Sequence, residues 1–450
     1  MKFRKSLKQM PPSNNRPDQP PASPGAGATV DQWLAYLEAI HPTEIDLGLD
    51  RVLVVLRRLF RRKPQARIIT VAGTNGKGSA VAAVEALLRA AGRRTGAYTS
   101  PHLQRYNERV RLNGEEIADE ALVKAFEAVE IARGSVSLTY FEFGTLAAFV
   151  AFAEAGLDDW ILEVGLGGRL DAVNVLDADF VLLTSVDIDH VAFLGDNREV
   201  IGFEKAGVLR PGIPAVYADT DPPRSVLQQA VAQRVDLDLF KRDYELVREE
   251  QGGSGFPAVL LNYHDQVVRL PAGPLPVTSV AAAVVAIRKL EPELPVSVIE
   301  QVLSGLCVPG RFERLGSSPD IFLDVGHNPH AAGWLAEQLG SLKSPGRRVH
   351  AVYGALADKD VEGVGKAMAG VVDAWYLASL KVPRGLSGQE LQSRLVDGGI
   401  GHAPAFESVG EALKSSLSRA APNDVVVVFG SFFTVAEGRA ILRAEDSAGS

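Results

Sequence analysis

The segment Gly73-Thr-Asn-Gly-Lys-Gly-Ser79 constrains this chain more than anything else in it. It follows an apolar run, Arg67-Ile-Ile-Thr-Val-Ala72, and opens onto the alanine-rich stretch AVAAVEALLRAAG. The order is strand, glycine turn, helix. Such a unit returns its chain to a parallel sheet and leaves the turn at the strand's C-terminal edge. The glycines let backbone N–H groups converge on an anion, and the helix adds its positive N-terminus. Lys77 adds a full charge, and a hydroxyl just past it, Ser79, suits the Mg²⁺ that accompanies ATP. Gly73, Thr74, Asn75, Gly76, Lys77, Gly78 and Ser79 are therefore candidate triphosphate ligands. The loop departs from the standard pattern, because Gly78 stands between the lysine and the hydroxyl. No guanine-reading Asn-Lys-x-Asp occurs in the chain, which argues against a GTPase switch.

The rest of the chain fits a two-domain α/β enzyme. At 450 residues it exceeds what one core supports. Runs like that before the loop recur at Asp159-WILEV, Phe180-VLLTSVD and Ile213-PAVYAD, and near-continuous apolar strands separated by helices indicate a parallel sheet covered on both faces. After Val308-Pro-Gly-Arg311 the alternation restarts with IFLDVG, RVHAVYGAL, AWYLASL and VVVVFGS. The expected fold is α/β, a P-loop-type parallel-sheet domain over 29–308, a hinge at 309–311, and a smaller Rossmann-like domain over 312–450. Residues 1–28, proline-rich, polar and basic, are expected to be disordered. DQWLAYLEAI and LDRVLVVLRRLF carry helical apolar spacing.

Charge and cysteine usage narrow the partners. A net charge of −8 argues against a nucleic-acid binder. No run approaches the ~20 apolar residues of a membrane helix. The single cysteine, Cys307, excludes an internal disulfide, fits a reducing cytoplasm, and reads as core filler.

The loop GTNGKGS, with Ser100-PHLQRYNERVR111, Leu138-TYFEFGT145, Leu162-EVGLGGRLDAVN174, Asp189-His190, Glu204-KAG207, Pro309-GRF312 and Asp324-VGHNPHA331, resembles the Mur-ligase superfamily. Within it, the pattern is similar to the bacterial dihydrofolate synthase/folylpolyglutamate synthase family, from Ile45-DLGL49 to Val428-FGSFFTV435. The resemblance implies an ATP-dependent ligase that joins L-glutamate to dihydropteroate and to reduced folates through an acyl phosphate. The nearest alternative is polyglutamylation alone. A cell-wall Mur ligase would need a further N-terminal domain, for which the residues ahead of the loop leave no room.

The same resemblance assigns roles. Ser79, Ser100 and Glu163 are implied to hold one Mg²⁺. His190 and Lys205 are implied to hold a second, Lys205 as a carbamate. Lys77, Glu163, His190 and Lys205 form the implied catalytic set. Arg311 is implied to touch the phosphates and Asp324 the ribose or adenine, with His327 nearby. Ser279 stands near a position where the family has an adenine-contacting Asn. The pterin is implied to meet Asp46, Leu47 and Gly48; Thr139, Tyr140, Phe141 and Glu142; and Leu170, Asp171 and Ala172. From chemistry alone, Glu163 closes an apolar strand before GLGG, so its carboxylate is expected at the strand's C-terminal edge. His190 is expected at the same edge, at the end of FVLLTSVD. The cofactors implied are ATP and two Mg²⁺ ions. The partners expected are small molecules, with no nucleic acid, no membrane and a monomeric chain.

Overall fold

The computed structural model describes residues 22–25, 27–41, 43, 45–249, 258–271 and 273–449. The expected disorder of the N-terminal tail falls largely outside the described residues. Helices Val30–Ala39 and Asp50–Leu59 come first, as their spacing predicts. An eight-stranded sheet follows, built from β1 (Arg67–Ala72), β2 (Thr95–Tyr98), β3 (Val110–Leu112), β4 (Glu115–Glu116), β5 (Asp159–Glu163), β6 (Phe180–Leu183), β7 (Pro214–Tyr217) and β8 (Asp236–Leu239). Its order is β4-β3-β2-β5-β1-β6-β7-β8. β2, β5, β1, β6, β7 and β8 run parallel, and β3 and β4 add an antiparallel edge. The sheet is thus mixed where a parallel one is expected.

Burial explains why its strands read as unbroken apolar runs. Ile68, Leu162 and Val181 enter the core on one face, while Ile69, Ile161 and Leu182 enter the core on the other. A strand covered on both sides has no polar face to alternate with. Each such side chain contributes about 1.5–3 kcal/mol on burial.

A three-stranded antiparallel sheet, β9 (Tyr244–Arg248), β10 (Val259–Tyr263) and β11 (Gln266–Leu270), comes next. The third sheet holds β12 (Glu313–Ser317), β13 (Asp320–Asp324), β14 (Val349–Tyr353), β15 (Ala374–Ala378), β16 (Ala405–Phe406) and β17 (Val425–Phe429), in the order β12-β13-β17-β14-β15-β16. Only β12 is antiparallel to its neighbour. The VVVVF run of β17 divides in the same way, Val425, Val427 and Phe429 to one core and Val426 and Val428 to the other. The protein is therefore a parallel-sheet α/β lobe followed by a second α/β lobe.

Two expectations need correcting. Cys307 is exposed rather than core filler, because it lies past the end of helix Val296–Ser304 in the connector to the second lobe. The strand over FVLLTSVD stops at Leu183, because Thr184 and Ser185 turn to bond the glycine loop; His190 consequently lies beyond the sheet edge, at φ 52° ahead of the one-turn helix Val191–Leu194.

Candidate active site

The glycine loop leaves β1 between its neighbours β5 and β6 and enters helix Lys77–Ala90. Its shape depends on two glycines with positive φ. Gly73, at φ +144°, lies so close to β6's extension that an added Cβ would stand 1.9 Å from Thr184 Oγ1. Gly76, at φ +83°, would press a Cβ to 2.2 Å from Ser279 Oγ. Ser279, in helix Val277–Leu290, is thereby placed under the loop. The Thr74 amide donates to the Ser185 carbonyl (2.7 Å) and the Asn75 amide to Ser185 Oγ (3.2 Å). The amides of Lys77, Gly78 and Ser79, in the helix's first turn, have no carbonyl within the helix to bond. Those are the donors that geometry offers to an anion.

Lys77 curls back over the loop, donating to the carbonyls of Gly73 (3.1 Å) and Thr74 (3.0 Å). Burial pushes its amine down, while Glu163 and Asp189 pull it back up. Glu163 ends β5, as expected, and is 3% exposed. Burial raises its carboxyl, opposed by Lys77, by Arg311 and by the Ser100 amide, which donates to Glu163 Oε2 at 3.2 Å. Arg311, from just ahead of the third sheet, reaches the same place. A Cβ built on Gly78 would lie 3.5 Å from Arg311 Nη2 and 4.0 Å from Glu163 Oε2. Arg311 is further seated over the ring of Phe432, 5.7 Å from its centroid. Lys77, Gly78, Ser100, Glu163 and Arg311 thus converge, although they span more than half the chain.

The residues present fit a divalent cation beside a polyphosphate. Ser79 Oγ is buried and has no hydrogen-bond partner, an orphaned oxygen at the position expected for a metal ligand. Glu163 is a buried carboxylate that needs a cation to stay ionised. Among the described residues no three His, Cys, Asp or Glu side chains cluster as a metal cage. Mg²⁺ suits such a sparse set, because it completes its shell with phosphate oxygens and water.

His190 and Lys205 sit less simply. The His190 side chain is 41% exposed, and its Nε2 lies 4.0 Å from Asp189. Burial of part of the ring, with Lys359 and Lys77 opposing Asp189's pull, holds His190 down to about 4. It is a neutral imidazole, the form that can ligate a metal. Lys205, in helix Arg198–Ala206, is 4% exposed and donates to the Gly73 carbonyl at 2.8 Å. Burial and the nearby Lys77 bring its amine down to about 7. As an amine it is a donor to the loop.

Asp189 is the larger finding. Quoted in the sequence only as His190's neighbour, it receives Lys359 Nζ at 2.8 Å and Asn328 Nδ2 at 3.3 Å, with His327 Nε2 at 3.6 Å. All three belong to the second lobe. Despite burial, His327, Lys359 and His190 hold its carboxyl well below the usual range. Asn328 also bonds Asn75 Oδ1 of the glycine loop at 2.9 Å. Lys359 carries no local signal in the sequence, being a loop lysine 170 residues from its partner. His327 Nδ1 lies 3.0 Å from the Val325 carbonyl, leaving Nε2 toward Asp189. Asp324 is 4% exposed and accepts from the amides of Phe312 (2.9 Å) and Gly326 (2.7 Å), so it shapes the turn that carries Arg311. A cavity of about 440 Å³ between Val277, Val280, Trp334 and Glu337 is lined by none of residues 73–79.

The three segments expected to meet the pterin lie together. The one-turn helix Ala172–Val175 packs on helices Asp50–Leu59 and Tyr140–Glu154. Leu170 leads into it half-buried, and Ala172 is 3% exposed. Thr139 caps helix Tyr140–Glu154 reciprocally with Glu142. Phe141 covers Gly165, where a Cβ would stand 2.7 Å from its ring. Tyr140 packs against Tyr106 at 5.8 Å, with Arg109 over its ring at 5.6 Å. Arg109, absent from the expected set, also donates to His102 Nδ1 at 2.8 Å. Asp171 accepts from the amides of Gly165 (3.0 Å), Leu166 (2.9 Å) and Val173 (3.0 Å). Burial nevertheless raises it to about 6. Asp46, Leu47 and Gly48 lie in irregular chain ahead of helix Asp50–Leu59.

Comparison with known proteins shows the family and the fold. Residues 310–432 match the family model described as Mur ligase, glutamate ligase domain. The dihydrofolate synthase/folylpolyglutamate synthase of Escherichia coli (strain K12) is 41% identical over 427 residues, 95% of this chain and 99% of that protein. A solved structure of E. coli FolC in complex with DHPP and ADP is 40% identical, with a TM-score of 0.88 over 94% of this chain and 100% of that one. A bifunctional folylpolyglutamate synthase/dihydrofolate synthase with Mn, AMPPNP and L-glutamate bound is 41% identical, with a TM-score of 0.85 over 94% of this chain and 100% of that one. A glycine loop met by an arginine from just ahead of the third sheet, within likeness that spans nearly the whole chain, places this protein in the dihydrofolate synthase/folylpolyglutamate synthase family of Mur ligases.

Proposed function

We propose that this chain joins L-glutamate to dihydropteroate and to reduced folates, consuming ATP through an acyl-phosphate intermediate. The observation that carries the reading is the meeting of Lys77 and Glu163 with Arg311, which arrives from beyond the first lobe. Residues 73–79 would hold the triphosphate, with Lys77 and Arg311 neutralising the charge that builds in transfer. Ser79, Ser100 and Glu163 would hold one Mg²⁺, and His190 with Lys205 a second. Mg²⁺ there supplies Lewis-acid charge neutralisation for phosphoryl transfer. Lys205 serves that set as a carbamate: a buried amine brought down to about 7 has a substantial neutral fraction to react with CO₂. A carbon-13 carbamate resonance lost in Lys205→Arg tests this, and its absence from the wild type would refute it.

The acceptor's carboxylate oxygen attacks the γ-phosphorus, and the bond to ADP breaks. The glutamate nitrogen then attacks the acyl carbon, phosphate leaves with the bonding pair, and the nitrogen loses its proton. Because water would hydrolyse the intermediate, the reaction benefits from a cleft that closes. We take 29–308 and 312–450 as the two moving domains and 309–311 as their hinge. Asp46 to Gly48, Thr139 to Glu142 and Leu170 to Ala172 would bind the pterin, and Ser279, Asp324 and His327 would border the nucleoside. The enzyme is read as a cytoplasmic monomer with small-molecule partners; no described helix is long and apolar enough to cross a membrane. Phosphate release from ATP, with glutamate plus either dihydropteroate or tetrahydrofolate, is the direct test. Release is expected with each; release with neither would remove the reading.

A further inference from the structure

We infer that Arg51 is a positioning residue for the pterin-bearing substrate, fixing the segment Asp46–Gly48 onto helix Tyr140–Glu154. The inference rests on the reading of these segments as the pterin site.

Arg51 lies in the first turn of helix Asp50–Leu59, immediately after the irregular stretch 45–48. Its Nε donates to both oxygens of Glu142, at 2.8 Å each. Its Nη1 donates to Asp46 Oδ2 at 2.5 Å, and its Nη2 donates to the Asp46 carbonyl. One guanidinium therefore grips a side chain and a main-chain oxygen of the irregular segment. The same guanidinium is anchored to a carboxylate that is almost fully buried.

The two ends differ in rigidity. Glu142 is locked, because it also accepts from the Thr139 amide at 2.8 Å in the cap of its helix. Asp46 is exposed, with a side chain 45% accessible, and residues 45–48 belong to no helix or strand. His41 Nε2 also lies near Asp46, 3.8 Å from its Oδ2. A chain segment without ladder or helix bonds takes its position from side-chain ties. The fork of Arg51 supplies that tie, and a lysine, with one nitrogen, cannot reproduce it.

Dihydropteroate affinity and turnover, measured on the full-length enzyme, separate this role from a general structural one. Arg51→Ala and Arg51→Lys are expected to raise KM for dihydropteroate about tenfold or more, since the substrate must then order the segment itself. KM for ATP and kcat at saturating acceptor should stay near wild type, because Arg51 is not part of the triphosphate site. Methylguanidine should partly restore the low KM of Arg51→Ala. Dihydropteroate binding, followed by pterin fluorescence, gives a readout independent of turnover. Equal affinity in wild type and both variants would overturn the role of Arg51 alone. So would a raised KM for ATP with kcat and thermal stability falling alongside it in both variants. A wild type that binds no dihydropteroate would sink the functional reading, and this inference with it.

Discussion

Lys77 is the residue on which the proposed chemistry turns, and its surroundings support that role. It is a buried amine held over its own loop by two carbonyls, its pKa pushed down by burial and pulled back up by Glu163 and Asp189. Lys77→Ala removes the only full charge the loop contributes; both ligase activities should fall by roughly 10²–10³-fold or more in a phosphate-release assay, and full retention would show the loop assignment to be wrong. Asp171 makes a different prediction. Its carboxyl is raised from 3.8 to about 6 because burial outweighs three backbone donors. A folded-state value above the unfolded one means the native state holds its proton longer. Asp171 therefore costs nothing below about pH 4, and stability falls as pH rises from 4 to 6, by on the order of 3 kcal/mol. Asp171→Asn does not titrate, so the gap in melting temperature between wild type and variant should move against the wild type across that window. A gap independent of pH would refute the assignment. Lys77, Ser79 and Glu163 were legible in the sequence because each sits beside a glycine turn that closes a strand. Lys359 and Arg51 were not, since Asp189 and Glu142 are distant from them along the chain and nothing local marks a lysine or arginine as paired.

At the scale of elements, the loop works because β6 continues past its last ladder bond as a brace. Thr184 donates from its amide and its hydroxyl to the Ala72 carbonyl, at 2.9 Å and 3.3 Å, and Ser185 accepts from Thr74 and Asn75. Gly73→Ala would drive a Cβ to 1.9 Å from Thr184 Oγ1 and 3.0 Å from the Ser185 nitrogen, at a φ that alanine resists. The cost is on the order of 3 kcal/mol, and ADP affinity should fall with it. Adding Thr184→Ala relieves the hydroxyl contact but neither the φ nor the Ser185 nitrogen, so calorimetry should show partial recovery. Complete recovery would mean the backbone is not constrained. The core strands β1, β5, β6, β7 and β17 were readable because burial on both faces leaves continuous apolar sequence. β3 and β4 span only three and two residues, too short for any period to register. The hairpin strands β10 and β11 each bury only part of one face, and Val267 remains 54% exposed, so their pattern is weak. The expected strand FVLLTSVD ends at Leu183, where the polar Thr184 and Ser185 direct their bonds to Ala72 and the glycine loop.

Across the whole molecule, the two lobes are joined by polar bonds centred on Asp189, with Asn328 bridging to Asn75 and Arg439 donating to Gln104 Oε1 at 2.7 Å. Leu103, from the segment that follows Ser100, packs into a core cluster of the second lobe. An interface of this polar kind is compatible with motion between domains. Asp189 and Lys359 are both nearly buried in the arrangement described, at 11% and 8% of side-chain exposure, so their separation must be offset by hydration. Lys359→Ala leaves His327 and Asn328 as the second-lobe partners of Asp189, and should weaken the joined arrangement by about 2–5 kcal/mol. That is a shift of tenfold or more in the balance between closed and open forms, at about 1.4 kcal/mol per factor of ten. A triphosphate held, as proposed, by Lys77 of the first lobe and by Arg311 at the hinge would oppose the shift. Small-angle scattering of Lys359→Ala should therefore give a larger radius of gyration than wild type without ligand, and the two should converge when ATP and acceptor are added. Identical profiles for both proteins in both conditions would mean that the lobes are held together without Lys359.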